Sequence, residues 1–229
     1  MNTTARKRIK PTTIVWIVIT VLVLGALTGI LIAKNSAQNK TGLAAAPGPE
    51  AVQGQVVRPN SHVLSKAPEE KAVLVEFLDF ECEACGSIYP FVEELRKEYG
   101  QNVTFVQRYF PLPGHRNSMN AAVAVEAAAE QGKYEQMYQK MFDTQKQWGE
   151  SQDDYSELFR DYAKELGLDM KAYDASIADP ATQQRVSQDL TDGKALGITG
   201  TPTFFLDGQL LQIQTAEQFE AAIKSAISK

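Results

Sequence analysis

The sequence predicts an α/β domain, and three observations point to that class. An apolar strand pattern over Ala72–Phe80 is followed by a helical pattern and then by a second strand pattern over Asn102–Phe110. A long stretch with only helical periodicity comes next, at about residues 115–197. The chain then returns to strand, turn, strand and helix. The expected element order is therefore β, αβ, an inserted helical block and ββα.

Residues 1–33 have the pattern of a membrane anchor. The basic stretch ARKRIK precedes Ile14–Ala33, a run of twenty residues without a charge. Twenty residues at helical rise match the thickness of a bilayer core. A cleaved signal peptide has the same order of features, but its apolar region is shorter, about 7–15 residues. We therefore expect an uncleaved, single-pass transmembrane helix in the cell membrane, with its basic end inside and the rest of the chain outside.

Residues 34–56 predict a flexible linker, and the folded domain is expected at 57–229. The linker is rich in Ala, Gly, Pro, Gln and Asn, so it buries too little apolar surface to offset its ordering entropy. All 28 acidic residues follow Lys40, whereas six of the 23 basic residues lie at or before it. Because phosphate binding needs Lys and Arg, so acidic a body is not expected to bind nucleic acid.

The first strand and helix of the domain meet at the only two cysteines in the sequence. Apolar residues recur at helical spacing from Ile88 to Leu95, directly after the predicted strand. Pro90 is expected to kink this helix because it removes one backbone hydrogen bond. Cys82 and Cys85 therefore lie where a strand gives way to a helix.

Five helical patterns make up the inserted block. Their aromatic and Met side chains recur on one face, and this spacing explains them as core rather than as a ligand pocket. His115 and Trp148 lie in this part of the chain, but nothing in their spacing ties them to the cysteines, so we assign both to structure or surface. The patterns cover residues 117–132, 133–145, 154–167, 169–178 and 180–197.

The last elements are a hairpin and a helix. Asp207–Gly208 between two apolar runs is a strong hairpin signal. Thr215 stands three residues before Gln218, which is the spacing of a capping box. A final helix is therefore expected to begin at this point.

The Cys-x-x-Cys pair can serve few purposes. A disulfide that closes so small a loop stabilises little. A structural zinc site needs about four ligands, and the two histidines, His62 and His115, stand at no finger spacing, so no metal is expected. An inert pair of buried thiols stays open. A pair at a strand-to-helix junction also suits reversible dithiol–disulfide chemistry.

Taken together, these residues resemble a known family. The Cys-x-x-Cys after the first buried strand, the helical block and ITGTPTFFLDG near the end resemble the DsbA-like thiol–disulfide oxidoreductases, in the membrane-tethered form of Gram-positive bacteria. The resemblance runs from about Arg58 to Ser228. It implies a thioredoxin-like fold with an inserted helical subdomain, preceded by a transmembrane helix and a linker, and no cofactor.

The resemblance also implies roles for individual residues. Cys82 matches the exposed attacking cysteine and Cys85 the buried resolving one. Thr201–Pro202 matches a cis-proline loop that faces the sulfurs and helps to hold the substrate backbone, although base rates alone favour a trans bond. Glu76 matches a buried acid beneath the pair. The residues themselves leave two interpretations of Glu76 open: a strand acid facing solvent, or a buried carboxyl of raised pKa that relays the proton of Cys85.

Disulfide exchange needs the thiolate of Cys82. A helix N-terminus stabilises a negative sulfur, whereas Glu81 and Glu83, both expected to be exposed, oppose it by repulsion that solvent screens. Glu83 and Ala84 also replace the His or Pro that the family usually has between the cysteines. We therefore expect an acidified Cys82, but a weaker oxidant than a site with a histidine there.

The leading functional prediction is an extracytoplasmic enzyme that introduces disulfide bonds into exported proteins with cysteine thiols. It would act as a monomer and be reoxidised by a quinone-linked membrane partner. A reductase or isomerase of the same fold is the close alternative, although no dimerisation region of the kind isomerases have is evident. A non-catalytic, tethered binding module for unfolded exported proteins, with a static cysteine pair, is the alternative from another class.

Overall fold

The computed structural model describes residues 55–229. The predicted membrane anchor and all but the last two residues of the predicted linker lie outside this range. Between residues 55 and 229, no helix combines the length and apolar character needed to cross a bilayer.

The domain is built on one mixed sheet. Strands β2 and β3 are parallel, and every other neighbouring pair is antiparallel, in the order β1-β3-β2-β4-β5. The strands are β1 (His62–Ser65), β2 (Ala72–Leu78), β3 (Val103–Tyr109), β4 (Thr203–Leu206) and β5 (Gln209–Leu210).

Helices account for most of the remaining described residues. One connects β2 to β3, five lie between β3 and β4 with a short 3₁₀ turn after the second of these five, and one ends the chain. They are α1 (Glu83–Tyr99), α2 (Ser118–Ala129), α3 (Tyr134–Thr144), the 3₁₀ turn Gln145–Gln147, α4 (Ser156–Glu165), α5 (Met170–Ala178), α6 (Pro180–Ala195) and α7 (Ala216–Ile227).

The element order agrees with the sequence prediction, with β1 as an addition. This four-residue edge strand buries only Leu64 and leaves Val63 half exposed, so its sequence carries too little apolar alternation to be detected. The domain also begins slightly earlier than the predicted Val57. Val56 is fully buried, because it packs in a core on one face of the sheet.

The two faces of the sheet support two cores. Leu74 and Leu78 of β2 point into the larger core, which is shared with α1, α7 and most of the inserted helices. Val75 and Phe77 point into a smaller core that Ile198 and apolar residues of α6 cover. Because side chains alternate along a strand, Glu76 lies on the same face as Leu74 and Leu78, beneath α1.

The predicted hairpin and final helix cap are both present. Asp207 and Gly208 have φ values of 50° and 76°, as a tight hairpin between β4 and β5 requires. The Asp207 carboxylate accepts a hydrogen bond from Val73 N at 2.9 Å, which fastens the turn to β2. Thr215 Oγ1 accepts one from Gln218 N, so α7 begins at its predicted cap.

A buried ion network joins α6 to β3. The guanidinium of Arg108 is fully buried and bonds Asp189 at 2.6 Å and Asp192 at 2.5 Å. Arg58 also pairs with Asp192, and Arg185 with Asp189. We call these five side chains the ion network, in which three guanidinium groups pair with two carboxylates.

Candidate active site

A short turn after β2 brings Cys82 to the start of α1. Cys82 N donates a hydrogen bond to the carbonyl of Asp79 at 3.2 Å, and Cys82 is the extended N-cap residue of the helix. Cys85 lies in the first helical turn. The predicted strand-to-helix junction is therefore present, and Pro90 lies inside the helix as expected.

The two thiols differ in access less than the family resemblance implies. Cys85 is completely buried, as expected, but Cys82 is only 7% exposed rather than open to solvent. The carbonyl of Thr201 lies 3.4 Å from Cys82 Sγ on one side. The side chain of Gln145, from the 3₁₀ turn, bonds the carbonyl of Cys82 at 2.8 Å on the other. These two segments cover the residue, which explains why Cys82 is less exposed than the resemblance implies.

The Thr201–Pro202 peptide bond is cis. The resemblance implied this isomer, whereas base rates alone favoured trans. Because the carbonyl of Thr201 contacts the sulfur of Cys82, the loop faces the cysteine pair.

The two cysteines have pKa values displaced in opposite directions. The Cys85 thiol lowers the pKa of Cys82 most, and with the Thr201 hydroxyl and the amides of Ala84 and Cys85 it outweighs burial and brings that pKa to about 5. Burial, followed by the hydrogen bond to the Cys82 sulfur and the charges of Glu76 and Cys82, raises the pKa of Cys85 well above its usual value. The expected acidification is thus present, but the second thiol contributes more to it than the helix N-terminus does.

Glu76 is buried beneath the pair. It stands between Gln107 of β3 and Phe204 of β4 in the sheet, and Val92 of α1 lies above it. Burial raises its pKa to about 8, and the negative charges of Glu93 and Cys82 act in the same direction. Among residues 55–229 it forms no ion pair with a cation. The solvent-facing interpretation is therefore wrong, and the carboxyl holds a proton near neutral pH.

The expectation that Glu81 and Glu83 are both exposed is wrong for Glu81. Its side chain is 1% exposed, and its carboxylate accepts a hydrogen bond from Asn117 N at 2.6 Å. The side chain of Asn117 does not cap α2, because it bonds Tyr155 N and the carbonyl of Asp153 instead. Glu81 therefore satisfies the free amide at that helix start. Glu83 is exposed, as expected.

The role of Gln145 could not be read from the sequence pattern. Its Nε2 donates to the carbonyls of Phe80 and Cys82, both at 2.8 Å, so it holds the turn before α1. The side chain lies directly over Gly86, where a Cβ would fall 1.9 Å from Gln145 Oε1. Gly86, directly after the second cysteine, was the one signal in the sequence that another segment packs closely against this turn of the helix.

Trp148 and His115 were assigned to structure or surface. The assignment is confirmed for Trp148, which is fully buried and packs edge-on against Phe159 at 4.8 Å. His115 is placed differently. Its Nδ1 lies 2.6 Å from the carboxylate of Asp79, in the turn that leads to Cys82. The structure therefore brings His115 to the site, together with Cys82, Cys85 and Thr201.

An apolar groove opens beside the cis-proline loop. Pro202 lies at one end, α1 forms one wall, and the segment after β5 forms the other. The apolar lining residues include Ile88, Phe91, Phe204, Leu211, Ile213 and Phe219. Between residues 55 and 229, no three His, Cys, Asp or Glu side chains are grouped to hold a metal ion.

Residues 64–225 match the model of the family described as Thioredoxin. The chain belongs to the thioredoxin family. Among solved structures, a thioredoxin-like oxidoreductase from Silicibacter pomeroyi DSS-3 is 28% identical, with a TM-score of 0.63, and the match covers 77% of this chain and 98% of that one.

Two further structures share the fold at lower identity. Wolbachia pipientis α-DsbA1 is 20% identical, with a TM-score of 0.62 and coverage of 76% of this chain and 94% of that one. Bacillus subtilis BdbD in its oxidised form is 16% identical, with a TM-score of 0.62 and coverage of 72% and 92%. The DsbA-like resemblance of this thioredoxin-family chain is confirmed at the level of fold.

Curated relatives with higher identity are much longer proteins. The Na⁺/H⁺ antiporter NhaA 1 of Mycobacterium sp. (strain KMS) is 35% identical over 170 residues, which are 70% of this chain and 26% of the antiporter. NhaA of Herminiimonas arsenicoxydans is 34% identical over 192 residues, or 83% and 29%. The chain thus spans about a quarter of the length of these relatives.

Proposed function

We propose that this protein is a thiol–disulfide oxidoreductase that introduces disulfide bonds into exported proteins. The observation that carries the proposal is the opposed acidity of the two thiols, with the pKa of Cys82 lowered to about 5 and that of Cys85 raised. A dithiol whose reduced form contains a stabilised thiolate is a good oxidant in its disulfide form. Membership of the thioredoxin family supports the same chemistry.

The first step is attack on the oxidised pair. A substrate thiolate attacks Cys82 Sγ, the Cys82–Cys85 bond breaks, and the electron pair goes to Cys85 as its thiolate. Because the pKa of Cys85 is raised, this thiolate takes up a proton. Glu76 is buried next to the pair and is protonated near neutral pH, so we assign it the role of donor.

The second step releases the product. A second substrate thiolate attacks the substrate sulfur of the mixed disulfide, and Cys82 leaves as a thiolate. A leaving thiolate of low pKa departs faster. The substrate has then lost two electrons and the cysteine pair has gained them. A quinone-linked membrane partner would accept these electrons and restore the disulfide.

Substrate binding is assigned to the cis-proline loop and the groove beside it. Thr201 and Pro202 face Cys82, and the groove offers apolar side chains from α1, β4 and α7. An extended segment with apolar residues next to its cysteine fits this lining, since apolar contact is the main interaction that the groove provides.

The proposal includes a location outside the cytoplasm. The charge-free run Ile14–Ala33 after a basic stretch supports a single-pass anchor in the cell membrane. Disulfides persist in extracytoplasmic compartments. In this arrangement residues 34–56 tether a monomeric catalytic domain, residues 57–229, to the outer face.

The reduction potential of the Cys82–Cys85 pair tests the direction of the reaction. A potential near about −120 mV is expected for an oxidant, and one near about −270 mV would instead identify a reductase.

Replacing each cysteine separates an enzyme from a binding module. Cys82→Ser should abolish oxidation of a reduced, unfolded client. Cys85→Ser, mixed with the disulfide form of the same client, should accumulate a mixed disulfide, because the Cys82 thiolate displaces one client sulfur and no second thiol then resolves the product. The readouts are client thiol titration and non-reducing electrophoresis. Cysteine oxidation that survives in Cys82→Ser, or client binding without any mixed disulfide in Cys85→Ser, would favour the non-catalytic alternative.

A further inference from the structure

The loop between β3 and α2 is fastened to the turn that precedes Cys82. Leu112 N donates to Asp79 Oδ2 at 3.0 Å, and His115 Nδ1 bonds the same oxygen at 2.6 Å. Asn117 N donates to Glu81 Oε2 at 2.6 Å. Three bonds along six residues fix the loop, so the imidazole is held beside the catalytic turn rather than free to move.

Asp79 connects the imidazole to the cysteine pair. Its carboxylate is buried, and Oδ1 accepts a further bond from Glu81 N at 2.9 Å. Its backbone carbonyl accepts from Cys82 N, and its backbone amide supports negative charge on Cys85. A single residue thus contacts both cysteines through its backbone and His115 through its side chain.

The surroundings of His115 favour its charged form. Burial lowers its pKa, but the hydrogen bond and the charge of Asp79 outweigh this and raise it above the ordinary value, with Glu81 and Cys82 adding to the effect. The imidazole is 27% exposed, so it is only partly screened by solvent. Glu150 also lies within range of its charge.

The other charged groups around Cys82 are acids. Glu81 and Asp79 lie in the turn, and Glu83 lies next along the chain, where it faces Glu150. Arg116 follows His115 but pairs with Asp154 at 3.5 Å; the ion pair is exposed. The charged groups that interact with the imidazole are all acids or thiolates, so the positive charge at the site comes from His115.

We propose that His115, oriented by Asp79, is a positioning residue that stabilises the Cys82 thiolate electrostatically. The inference rests on the proposed function. In the second step of the reaction, the substrate–Cys82 disulfide breaks and its electron pair goes to Cys82 Sγ. The imidazolium keeps its proton and offsets the new negative charge.

The size of the effect follows from the other influences on Cys82. A charge interaction acts equally on both partners, so the interaction that raises the pKa of His115 also lowers that of Cys82. The Cys85 thiol, the Thr201 hydroxyl and the helix amides contribute more. We therefore expect loss of the imidazolium to reduce the thiolate population at acidic pH by roughly three- to tenfold.

Alkylation of the reduced full chain by iodoacetamide across the pH range tests the proposal without relying on turnover. Because Cys85 is fully buried and its pKa is raised well above the usual value, the rate reports the Cys82 thiolate. In His115→Asn, whose amide can still bond Asp79, the rate below the midpoint should fall roughly three- to tenfold. The wild-type curve should also show a second step, where His115 loses its proton, that is absent from the variant.

The other histidine provides a matched control. His62 bonds Glu126 at 2.6 Å and stacks on Tyr134 with ring centroids 4.0 Å apart, away from the catalytic turn. His62→Asn should leave the alkylation curve unchanged. An unchanged curve in His115→Asn would overturn the inference, while a wild-type midpoint near the free-thiol value of about 8.5 would instead count against the proposed function.

A second measurement uses the unaltered protein and so does not depend on the variant folding. The pKa of His115, followed by NMR, should be higher in the reduced protein, where the thiolate is present, than in the disulfide form. Equal values in the two redox states would overturn the inference.

Discussion

Two buried polar clusters lie on the same sheet, and they differ in whether their buried acidic groups have cationic partners. In the ion network, Arg108 lies between Asp189 and Asp192, and each charge has a partner. Around the cysteine pair, Glu76 and Cys85 are buried without a cationic partner among the described residues. The paired charges of the first cluster hold two elements together, whereas the second cluster contains a carboxyl, Glu76, that changes protonation near neutral pH.

Matching of charges explains the difference. Burial alone would raise the pKa of Asp192, but its bonds to Arg58 and Arg108 lower the pKa below the ordinary value. Nothing comparable compensates Glu76, so burial brings its pKa to about 8. Because Cys82 is displaced to about 5, the site contains two groups that titrate on either side of neutrality. The cluster whose buried acid lacks a cationic partner is therefore the one that can exchange protons near neutral pH.

The largest effect is expected from breaking the matched cluster. Arg108→Met leaves two buried carboxylates without their main partner and should cost about 3–5 kcal/mol of unfolding free energy. Urea unfolding provides the measurement. Arg160→Met, which removes an exposed pair with Asp174, is the control and should have no measurable effect. Equal destabilisation in the two variants would contradict the structural role of the ion network.

The unmatched cluster predicts a pH-dependent effect. Glu76 has a higher pKa folded than unfolded, so the folded state binds more protons between those values and loses stability as the pH rises. Relative to wild type, Glu76→Gln should gain about 2–3 kcal/mol as the pH goes from about 5 to about 7, at about 1.4 kcal/mol per pH unit. Urea unfolding of the disulfide form, in which Cys82 does not titrate, measures the difference.

The control for this variant is Glu94→Gln, since Glu94 is exposed on α1. Its stability relative to wild type should stay constant over the same pH range. If Glu76→Gln also shows no pH-dependent gain, the carboxyl is not held protonated by burial. Glu76→Gln should in addition slow the first step of client oxidation, in which Cys85 leaves and takes up a proton, and unchanged turnover would count against the proton-donor role.

The smallest effect concerns the contact that holds the catalytic turn. Gly86→Ala would displace the Gln145 side chain from its bonds to Phe80 and Cys82, at a cost of about 1 kcal/mol. In a Gln145→Ala background the clash is gone, so the same substitution should stabilise the helix by roughly 0.5–1 kcal/mol. A double-mutant cycle in urea gives both numbers. The same sign in both backgrounds would contradict the contact.

The sequence predicted those features that depend on neighbouring residues. The cysteine pair at a helix start, the Asp207–Gly208 turn and the Thr215 cap follow from local spacing and are all present. In each of these three cases the pattern itself contains the physical cause. The burial of Glu76, by contrast, was left open by the residues and was implied by the family resemblance.

The features that were missed depend on distant segments. His115 lies 36 residues from Asp79, and Gln145 lies 65 residues from Phe80, so no local periodicity reports their contacts. Glu81 was expected to be exposed, since its hydrogen-bond donor, the amide of Asn117, lies at the start of another helix and is not visible in the local sequence. Tertiary packing decided these positions, and they are the ones that shape the charge around Cys82.

The pKa of the Cys82 thiol in the reduced protein tests the central claim most directly. Ultraviolet thiolate absorbance, followed across the pH range, should give a midpoint of about 5 for Cys82 and no second thiol titration in the neutral range. A midpoint at or above the free-cysteine value of about 8.5 would contradict the account.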